Sequence, residues 1–388
     1  MTIQTALTII LAIGLFFAVL AFAMSLWNLS FYNRAPSAQP KSVEGSPAVT
    51  VCVPARNEED NIEACVRSIL ASDPLGNGAD IEVLVYDDGS TDRTTQILAS
   101  LAEQDARVRA CPTEPLPAGW NGKQHACWQM SRNARAPIML FTDADVRFEP
   151  PAVGSALAAR EALDAGMLST FPRQITGTLS EKLVVPMIFF ILFSYLPFVR
   201  MRTSMDPGTS AACGQFIMLT REAYDASGGH EAAGNSMHEG VKLPRRVCKA
   251  GHKTDLFDGT DLCSVRMYRG LGETWRGFAK NAYEGLGSPI VLVVFTLMHL
   301  LGHLVPPAVL IAAALGADIG RVPIALAGAA VVLALIERLI LARRMRTSIL
   351  GALLHPVGVL LMTIIQWHSL YLHVTGKRSW RGRTAGDA

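Results

Sequence analysis

The sequence is poor in charged residues and carries no strong net charge. Charged side chains make up 18% of its 388 residues, hydrophobic side chains make up 50%, and the formal net charge is +2. A charge so close to zero excludes a bulk polybasic or polyacidic partner, and we expect no nucleic acid as a ligand. The apolar excess is concentrated in a few segments, which predicts one soluble domain together with membrane helices.

The seven cysteines lack the spacing of a zinc site, because no two of them form a C-x-x-C pair. All seven fall between the first apolar segment and the later ones, which favours a reducing, cytosolic compartment for that region. Cys52 and Cys65 lie in apolar periodic stretches, and we expect them to be packed as small hydrophobic side chains.

The first apolar run, residues 5–27, contains no charged residue and is long enough to cross a bilayer. No Lys or Arg precedes it, whereas Arg34 and Lys41 follow it. The positive-inside rule therefore predicts an external N-terminus and a cytoplasmic chain from residue 34 onward. Because the basic region of a cleaved signal peptide is missing, we expect residues 1–30 to form a retained transmembrane anchor.

Three further apolar runs predict membrane helices within residues 286–376. They cover residues 289 to about 316, 322–341 and 349–374. The basic loop between the last two should be cytoplasmic, but the basic tail, residues 377–388, would then lie outside, against the positive-inside rule. Either one segment is re-entrant, with breaks at Pro306-Pro307 or His355-Pro356, or the number of spans differs.

A shorter apolar run covers residues 183–199 and is interrupted by Pro186 and Pro197. A membrane crossing at this point would separate the two halves of the soluble domain. We therefore expect a helix that lies in the membrane interface.

Residues 46–285 alternate strand-like and helix-like patterns, which predicts an α/β domain with a mostly parallel sheet covered by helices. The expected strands cover residues 49–53, 81–86 and 138–141. The first expected helix covers residues 58–70, with acids at 58–60 in its first turn, and the second covers residues 92–101. Ligands of such sheets bind beyond the carboxyl ends of the strands. Polar residues follow three of these strand ends, at positions 54–59, 87–92 and 143–145.

The third strand end carries Asp143-Ala144-Asp145, two carboxylates one residue apart. Such a pair forms a site for a hard divalent cation, Mg²⁺ or Mn²⁺, that shares its coordination shell with phosphates. The second strand end could also be a turn and a helix cap, since Asp, Gly, Ser and Thr favour those positions. Three such ends in this order favour nucleotide chemistry.

In combination, these residues resemble the family 2 glycosyltransferases of GT-A fold over about residues 49–285. The resemblance implies a Rossmann-like mixed sheet, here joined to transmembrane α-helices, and a nucleotide-sugar donor. The residues that would hold the uridine and ribose are Pro54, Ala55, Arg56, Glu58, Asp87 and Asp88. Lys123 would lie near the nucleotide, Asp143 would contact the donor at the catalytic centre, and Asp145 would bind the metal at the diphosphate.

The resemblance also implies a carboxylate base, which is usually part of a Glu-Asp or Asp-Asp pair. This chain has Glu239 at that place without a neighbouring Asp, so we expect Glu239 to be the base, with Asp225 and Glu231 as alternatives. The family's Gln-x-x-Arg-Trp motif is missing, which argues against a processive polysaccharide synthase. Arg266 or Arg276 would then pair with the diphosphate.

The stretch at residues 117–123 and the C-terminal apolar block look most like the enzymes that glycosylate isoprenoid lipids, such as the hopanoid-associated and carotenoid-type transferases. The expected function is an integral-membrane inverting transferase that moves a sugar from a nucleotide sugar, expected to be a UDP-sugar, to a lipid hydroxyl. The alternatives are a polyprenyl-phosphate glycosyltransferase and a non-catalytic nucleotide-binding membrane scaffold. The expected location is the cell (inner) membrane, multi-pass, with a cytoplasmic catalytic domain.

Overall fold

The structure is a computed structural model, and it describes residues 3–35, 47–72, 81–234, 239–377, 379–380 and 383–384. Contacts within the chain divide it into two compact units. The helical unit consists of Met1–Phe31, Gln174–Pro197 and Met267–Arg381. The sheet unit consists of Tyr32–Arg173, Phe198–Arg266 and Gly382–Ala388.

The elements of the described residues are numbered in chain order. The strands are β1 (Val49–Ala55), β2 (Ile81–Asp87), β3 (Val108–Ala110), β4 (Ile138–Phe141), β5 (Val146–Phe148), β6 (Met167–Ser169), β7 (Arg173–Gln174), β8 (Ile217–Thr220), β9 (Thr254–Leu256), β10 (Cys263–Val265), β11 (Ser379–Trp380) and β12 (Arg383–Thr384). The helices are α1 (Ile3–Phe31), α2 (Ile62–Ala71), α3 (Thr94–Gln104), α4 (Gly122–Asn133), α5 (Ala152–Leu163), α6 (Leu179–Val184), α7 (Met187–Tyr195), α8 (Phe198–Ser204), α9 (Arg221–Ser227), α10 (Glu239–Lys249), α11 (Leu271–Ala279), α12 (Ala282–Leu286), α13 (Pro289–His299), α14 (Val305–Ala314), α15 (Arg321–Arg344), α16 (Ile349–Leu353) and α17 (His355–Val374). A 3₁₀ turn covers Glu231–Ala233, and a π-helical turn covers Leu300–Leu304.

The sheet unit is built on a seven-stranded sheet in the order β3-β2-β1-β4-β8-β6-β9. β1 runs parallel to β2 and β4, whereas β8 runs antiparallel to β4 and β6. In the β1 registers, Ala55 lies opposite Asp87 and Cys52 lies opposite Phe141. The carboxyl ends of β1, β2 and β4 therefore meet at one edge of the sheet. This mixed sheet confirms the predicted α/β fold class.

The sheet is covered by helices whose apolar residues recur at helical spacing. In α2 the buried side chains are Ile62, Cys65, Val66 and Ile69. Cys52 and Cys65 are fully buried, free thiols, as the apolar pattern predicted.

Both predicted helices begin later than expected, the first at Ile62 and not at residue 58, and the second at Thr94, two residues late. The Asp92 carboxylate accepts the Thr94 N–H at 3.0 Å, so Asp92 caps the second helix from outside its first turn.

Four helices of the helical unit are long and apolar enough to span a membrane, judged over the described residues. They are Ile3–Phe31, Pro289–Ala314, Arg321–Arg344 and His355–Val374. The second of these continues through Pro306-Pro307, one of the two predicted breaks. These prolines lie at the start of α14, directly after the π-helical turn, where the wider turn accommodates residues that lack an N–H donor. At the other predicted break, His355-Pro356, the helix is interrupted, because α16 ends at Leu353 and α17 begins at His355.

Buried polar groups join the apolar helices of this unit. Ser25 of α1 and Ser194 of α7 both donate to Glu337 Oε1 on α15, the latter at 2.6 Å. Asn28 Nδ2 donates to Phe193 O at 2.8 Å. Since an unsatisfied polar group is costly in an apolar environment, these bonds specify which helix faces pack together.

The segment predicted as an interfacial helix consists of three short helices, α6, α7 and α8, separated at Pro186 and Pro197. Contacts assign α6 and α7 to the helical unit and α8 to the sheet unit. A division by contacts does not locate a membrane. The predicted limits of the anchor (1–30), the glycosyltransferase domain (46–285), the interfacial helix (183–199) and the C-terminal block (286–376) therefore stay predictions. The tail at residues 377–388 lies mostly outside the described residues.

Candidate active site

The ends of β1 and β2 are tied together by hydrogen bonds between the turns that follow them. The Asp88 N–H donates to Ala55 O at 2.8 Å, and the Arg56 guanidinium donates to the Asp88 carboxylate at 3.3 Å. Asn57 adopts a left-handed backbone conformation, with φ of 53°, and its amide oxygen accepts the Thr91 N–H at 2.8 Å. The first two polar strand ends therefore form one continuous surface.

Two predicted donor-site carboxylates also have local structural partners. Asp87, the last residue of β2, accepts the Ser90 N–H at 3.0 Å and the Thr95 hydroxyl. Glu58 Oε2 accepts from Asn61 Nδ2 at 2.9 Å. The turn interpretation of the second strand end therefore describes Asp87, and these bonds hold both side chains in place at the sheet edge.

Asp143 and Asp145 lie directly after β4, at the same edge. Asp145 Oδ1 is buried and has no hydrogen-bond partner within the described part of the chain. Burial, together with the charges of Asp143 and Glu58, raises the pKa of Asp145 to about 7. Three clustered carboxylates with an unsatisfied buried oxygen form an electrostatic environment that a cation would stabilise.

Lys123 lies in the first turn of α4, and its position follows from the local sequence. The Asn121 side chain accepts the Lys123 N–H at 2.9 Å and so starts the helix. Lys123 Nζ lies 2.6 Å from Asp143 Oδ1 and 2.5 Å from Glu239 Oε1. Burial disfavours the ammonium, but these two carboxylates outweigh it and hold the pKa of Lys123 well above its ordinary value.

Glu239 is buried at the first residue of α10. Gly214 permits its position, because a Cβ at Gly214 would clash with Glu239 Oε1. Burial disfavours the charged carboxylate, but Lys123 and His230 outweigh it, and the pKa of Glu239 falls to about 2. The Gln124 amide also donates to Glu239 Oε2, at 3.4 Å.

His230 is a site residue that the sequence analysis missed. The side chain is fully buried, with Nδ1 3.0 Å from the Tyr224 hydroxyl and Nε2 3.7 Å from Glu239 Oε2. The only local signal was a histidine directly after the Gly228-Gly229 turn. No spacing rule indicates that this ring faces a glutamate at the start of the next helix.

The other predicted residues are not all brought to this cluster. The alternative bases Asp225 and Glu231 are both exposed. Arg266 is exposed directly after β10, and Arg276 is exposed in α11 of the helical unit. Their predicted contact with a diphosphate stays a prediction. His238, beside Glu239, lies outside the described residues.

Part of the sheet unit matches a known protein family. The sequence profile of glycosyl transferase family 2 matches residues 50–228. The 4,4'-diaponeurosporenoate glycosyltransferase of Staphylococcus aureus is 28% identical over 264 residues, which are 66% of this chain and 66% of that relative. The match thus spans just under two thirds of the relative's length.

A solved structure shares the fold. The mannosyltransferase PcManGT from Pyrobaculum calidifontis, in complex with GDP-Man and Mn²⁺, superimposes with a TM-score of 0.55 at 19% identity. The superposition covers 92% of this chain and 99% of that one. The profile match over residues 50–228, the relative and the shared fold agree with the polar strand ends at one sheet edge, and the chain has the GT-A fold.

Proposed function

We propose that this chain is an integral-membrane inverting glycosyltransferase that moves a sugar from a nucleotide sugar to the hydroxyl group of a membrane lipid. The observation that carries the proposal is the position of Lys123. Its ammonium joins Asp143, which follows a strand at the donor edge, to Glu239, a buried carboxylate on another element. A direct displacement needs a group that stabilises the leaving diphosphate and a base for the acceptor hydroxyl. A carboxylate at the donor edge, which can hold a cation, and a separate buried carboxylate would supply these two functions.

The donor edge fits a divalent cation. Asp145 has a buried oxygen without a partner in the described residues, and the negative charges around it raise its pKa. Asp145, with Asp143 beside it, would hold Mg²⁺ or Mn²⁺, and the remaining coordination positions would go to donor phosphates. When bound, the cation supplies charge neutralisation to the leaving nucleoside diphosphate. The turns around Ala55, Arg56 and Asp88 would hold the nucleoside.

Glu239 would remove the proton of the acceptor hydroxyl. Lys123 keeps this carboxylate ionised, but a carboxylate so close to an ammonium is a weak base. When donor phosphates draw the Lys123 ammonium away, Glu239 stays buried without its counter-ion, and its basicity rises. The proposal therefore predicts that the donor binds before the acceptor is activated. One metal site and one base imply a single in-line displacement, with inversion at the anomeric carbon.

The lipid acceptor is supported by two observations. The matched relative is a 4,4'-diaponeurosporenoate glycosyltransferase, an enzyme of carotenoid type. Within the described residues, four helices are long and apolar enough to span a membrane. We therefore propose a multi-pass location in the cell membrane, an isoprenoid, hopanoid or carotenoid hydroxyl as acceptor, and a cytoplasmic catalytic domain.

The test is nucleotide release from UDP- and GDP-sugars by the purified full-length protein in native membrane lipids, with mass spectrometry of those lipids. Wild type is compared with Asp145→Asn and Glu239→Gln. Glu231→Gln is the matched control, because Glu231 is an exposed acid close to Glu239 in the sequence.

We expect a metal-dependent mass gain of one sugar on a lipid, lost in Asp145→Asn and reduced by about 10²–10⁴-fold in Glu239→Gln. Glu231→Gln should retain full activity. Activity that survives Glu239→Gln would contradict the base assignment and favour a polyprenyl-phosphate acceptor, which needs no deprotonation. Nucleotide binding without any turnover would favour the scaffold alternative, and a retained anomeric configuration would refute the single displacement.

A further inference from the structure

A second group of potential ligands surrounds Glu239, apart from the carboxylates after β4. Cys127 Sγ, a ring nitrogen of His230 and a carboxylate oxygen of Glu239 all lie within 4.8 Å of one another, and all three residues are buried. A thiolate, an imidazole and a carboxylate are ligand types found in zinc sites. Three such ligands leave the fourth position of a tetrahedral zinc ion open. The Asp143 and Asp145 pair offers only oxygen ligands, so the two sites differ in their chemistry.

The His230 ring is prepared for such a role. Nδ1 lies 3.0 Å from the Tyr224 hydroxyl, which also accepts the His230 backbone N–H at 3.1 Å. Nε2 faces Glu239, and it is buried without a hydrogen-bond partner in the part of the chain that is described. Donation of Nδ1–H to Tyr224 would hold the ring in place while a bound metal replaces the Nε2 proton that faces Glu239. A metal-binding histidine is oriented in this way by a partner on its other nitrogen.

Cys127 completes the group from α4. It lies four residues after Lys123, so the two side chains share one face of the helix. Burial, followed by the negative charge of Glu239, raises the pKa of the Cys127 thiol, which is therefore protonated when no metal is bound. Binding of a divalent metal would exchange the thiol proton for a metal–sulfur bond and release that proton to solvent.

We propose that Cys127, His230 and Glu239 form an inhibitory site for Zn²⁺. Zinc would take Glu239 away from Lys123, whose ammonium keeps its contact with Asp143 at 2.6 Å. The charges balance, because a thiolate and a carboxylate neutralise the ion, and Lys123 remains paired with an acid. Zinc binding rests on the geometry alone, whereas inhibition rests on the proposed role of Glu239 as the base.

The direct test uses Co²⁺ as a spectroscopic substitute for Zn²⁺ on the purified full-length protein in lipid. A tetrahedral Co²⁺–thiolate site gives a charge-transfer absorption band that an oxygen-only site does not give. We expect this band in wild type, its displacement by one equivalent of Zn²⁺, and its absence in Cys127→Ser. Cys111→Ser is the matched control, because Cys111 is a buried thiol of the same core cluster outside the proposed site. It should keep the band.

The second readout is inhibition of glycosyl transfer by Zn²⁺ at saturating Mn²⁺. The zinc concentration for half inhibition should rise at least about tenfold in Cys127→Ser and stay unchanged in Cys111→Ser. If Cys127→Ser does not fold, His230→Gln replaces it, with loss of the band as the expected result.

Three results would overturn the inference. The first is a folded wild-type protein without the charge-transfer band, and the second is a band that persists in Cys127→Ser. The third is loss of the band with unchanged zinc inhibition, which would refute inhibition through this site. A protein that shows the band but transfers no sugar would refute the proposed function and leave the zinc site standing.

Discussion

Replacement of Lys123 by methionine should destabilise the sheet unit much more than replacement of Glu239 by glutamine. Lys123→Met removes the counter-ion of two carboxylates, Asp143 at 2.6 Å and Glu239 at 2.5 Å. Glu239→Gln removes one carboxylate, and Lys123 retains its contact with Asp143. The two variants differ because Lys123→Met leaves two carboxylates without their counter-ion, whereas Glu239→Gln leaves no charge without a partner.

The magnitude can be worked from the Glu239 carboxyl, which is only 6% exposed. Its environment moves its pKa from 4.5 to about 2, against the cost of burial. A shift of that size corresponds to about 3 kcal/mol. Removal of one partner of a buried ion pair costs about 3–5 kcal/mol, because the remaining charge stays buried without a counter-ion. We therefore expect a loss of about 3–5 kcal/mol for Lys123→Met and about 1–2 kcal/mol for Glu239→Gln.

The stability that this ion pair contributes changes with pH in a direction that the two pKa shifts determine. Because the folded pKa of Glu239 lies below its ordinary value, the stabilisation is complete above about pH 4.5 and is lost as the pH falls toward 2. Lys123 behaves in the opposite way, because its folded pKa is raised; its contribution is complete below about pH 10.5 and is lost at higher pH. Measurements near pH 7 therefore report the whole ion pair.

The assay is thermal unfolding of the purified protein in lipid nanodiscs at pH 7, without nucleotide or metal, followed by intrinsic fluorescence. Lys123→Met should lower Tm by about 10 °C, and Glu239→Gln should lower it by no more than about 5 °C. Lys123→Arg is the control that keeps the charge. The double variant Lys123→Met/Glu239→Gln should be more stable than Lys123→Met. Equal Tm values for the two single variants, or no recovery in the double variant, would refute the ion pair.

Three other predictions concern metal, shape and donor binding. Because the pKa of Asp145 is raised to about 7, protons compete with Mn²⁺ for this carboxylate below that pH. The affinity for Mn²⁺, measured by titration calorimetry, should strengthen from pH 5.5 to 7.5 and then level off. An affinity that does not change with pH would contradict this. Gly214→Ala should displace Glu239 and lower kcat by about 10²-fold without unfolding, whereas Gly328→Ala, where a Cβ meets no neighbour, should have no effect. Asp88→Ala should raise the KM for the nucleotide sugar more than it changes kcat; steady-state kinetics showing the reverse would place Asp88 in the chemical step.

Much of the sheet unit was predictable because its signals are local. Buried parallel strands read as continuous apolar runs, and β1, β2 and β4 were each expected within two residues of their observed bounds. The start of α3 was less predictable, because Asp92 acts as a cap in front of the helix. The long apolar helices were also readable, since length and hydropathy alone define them.

The partners within the candidate site were less predictable. Asp143, Asp145 and Lys123 could be named from motifs, but their mutual geometry could not. His230 carries no motif of its own, and its ring reaches Glu239 only because the turn after α9 and the start of α10 pack together. Cys127 carries no motif either, because it belongs to no C-x-x-C pair.

The sequence by itself determined three strands of the sheet, the carboxylates at their ends and the apolar segments, because each depends on residues that are close together along the chain. Tertiary structure alone decided that Lys123 joins Asp143 to Glu239 and that Cys127 and His230 lie against the same carboxylate. These groups come from separate elements, and their separation in space depends on how the elements pack against one sheet. That packing arises from many weak contacts spread over the domain, and no local pattern encodes it.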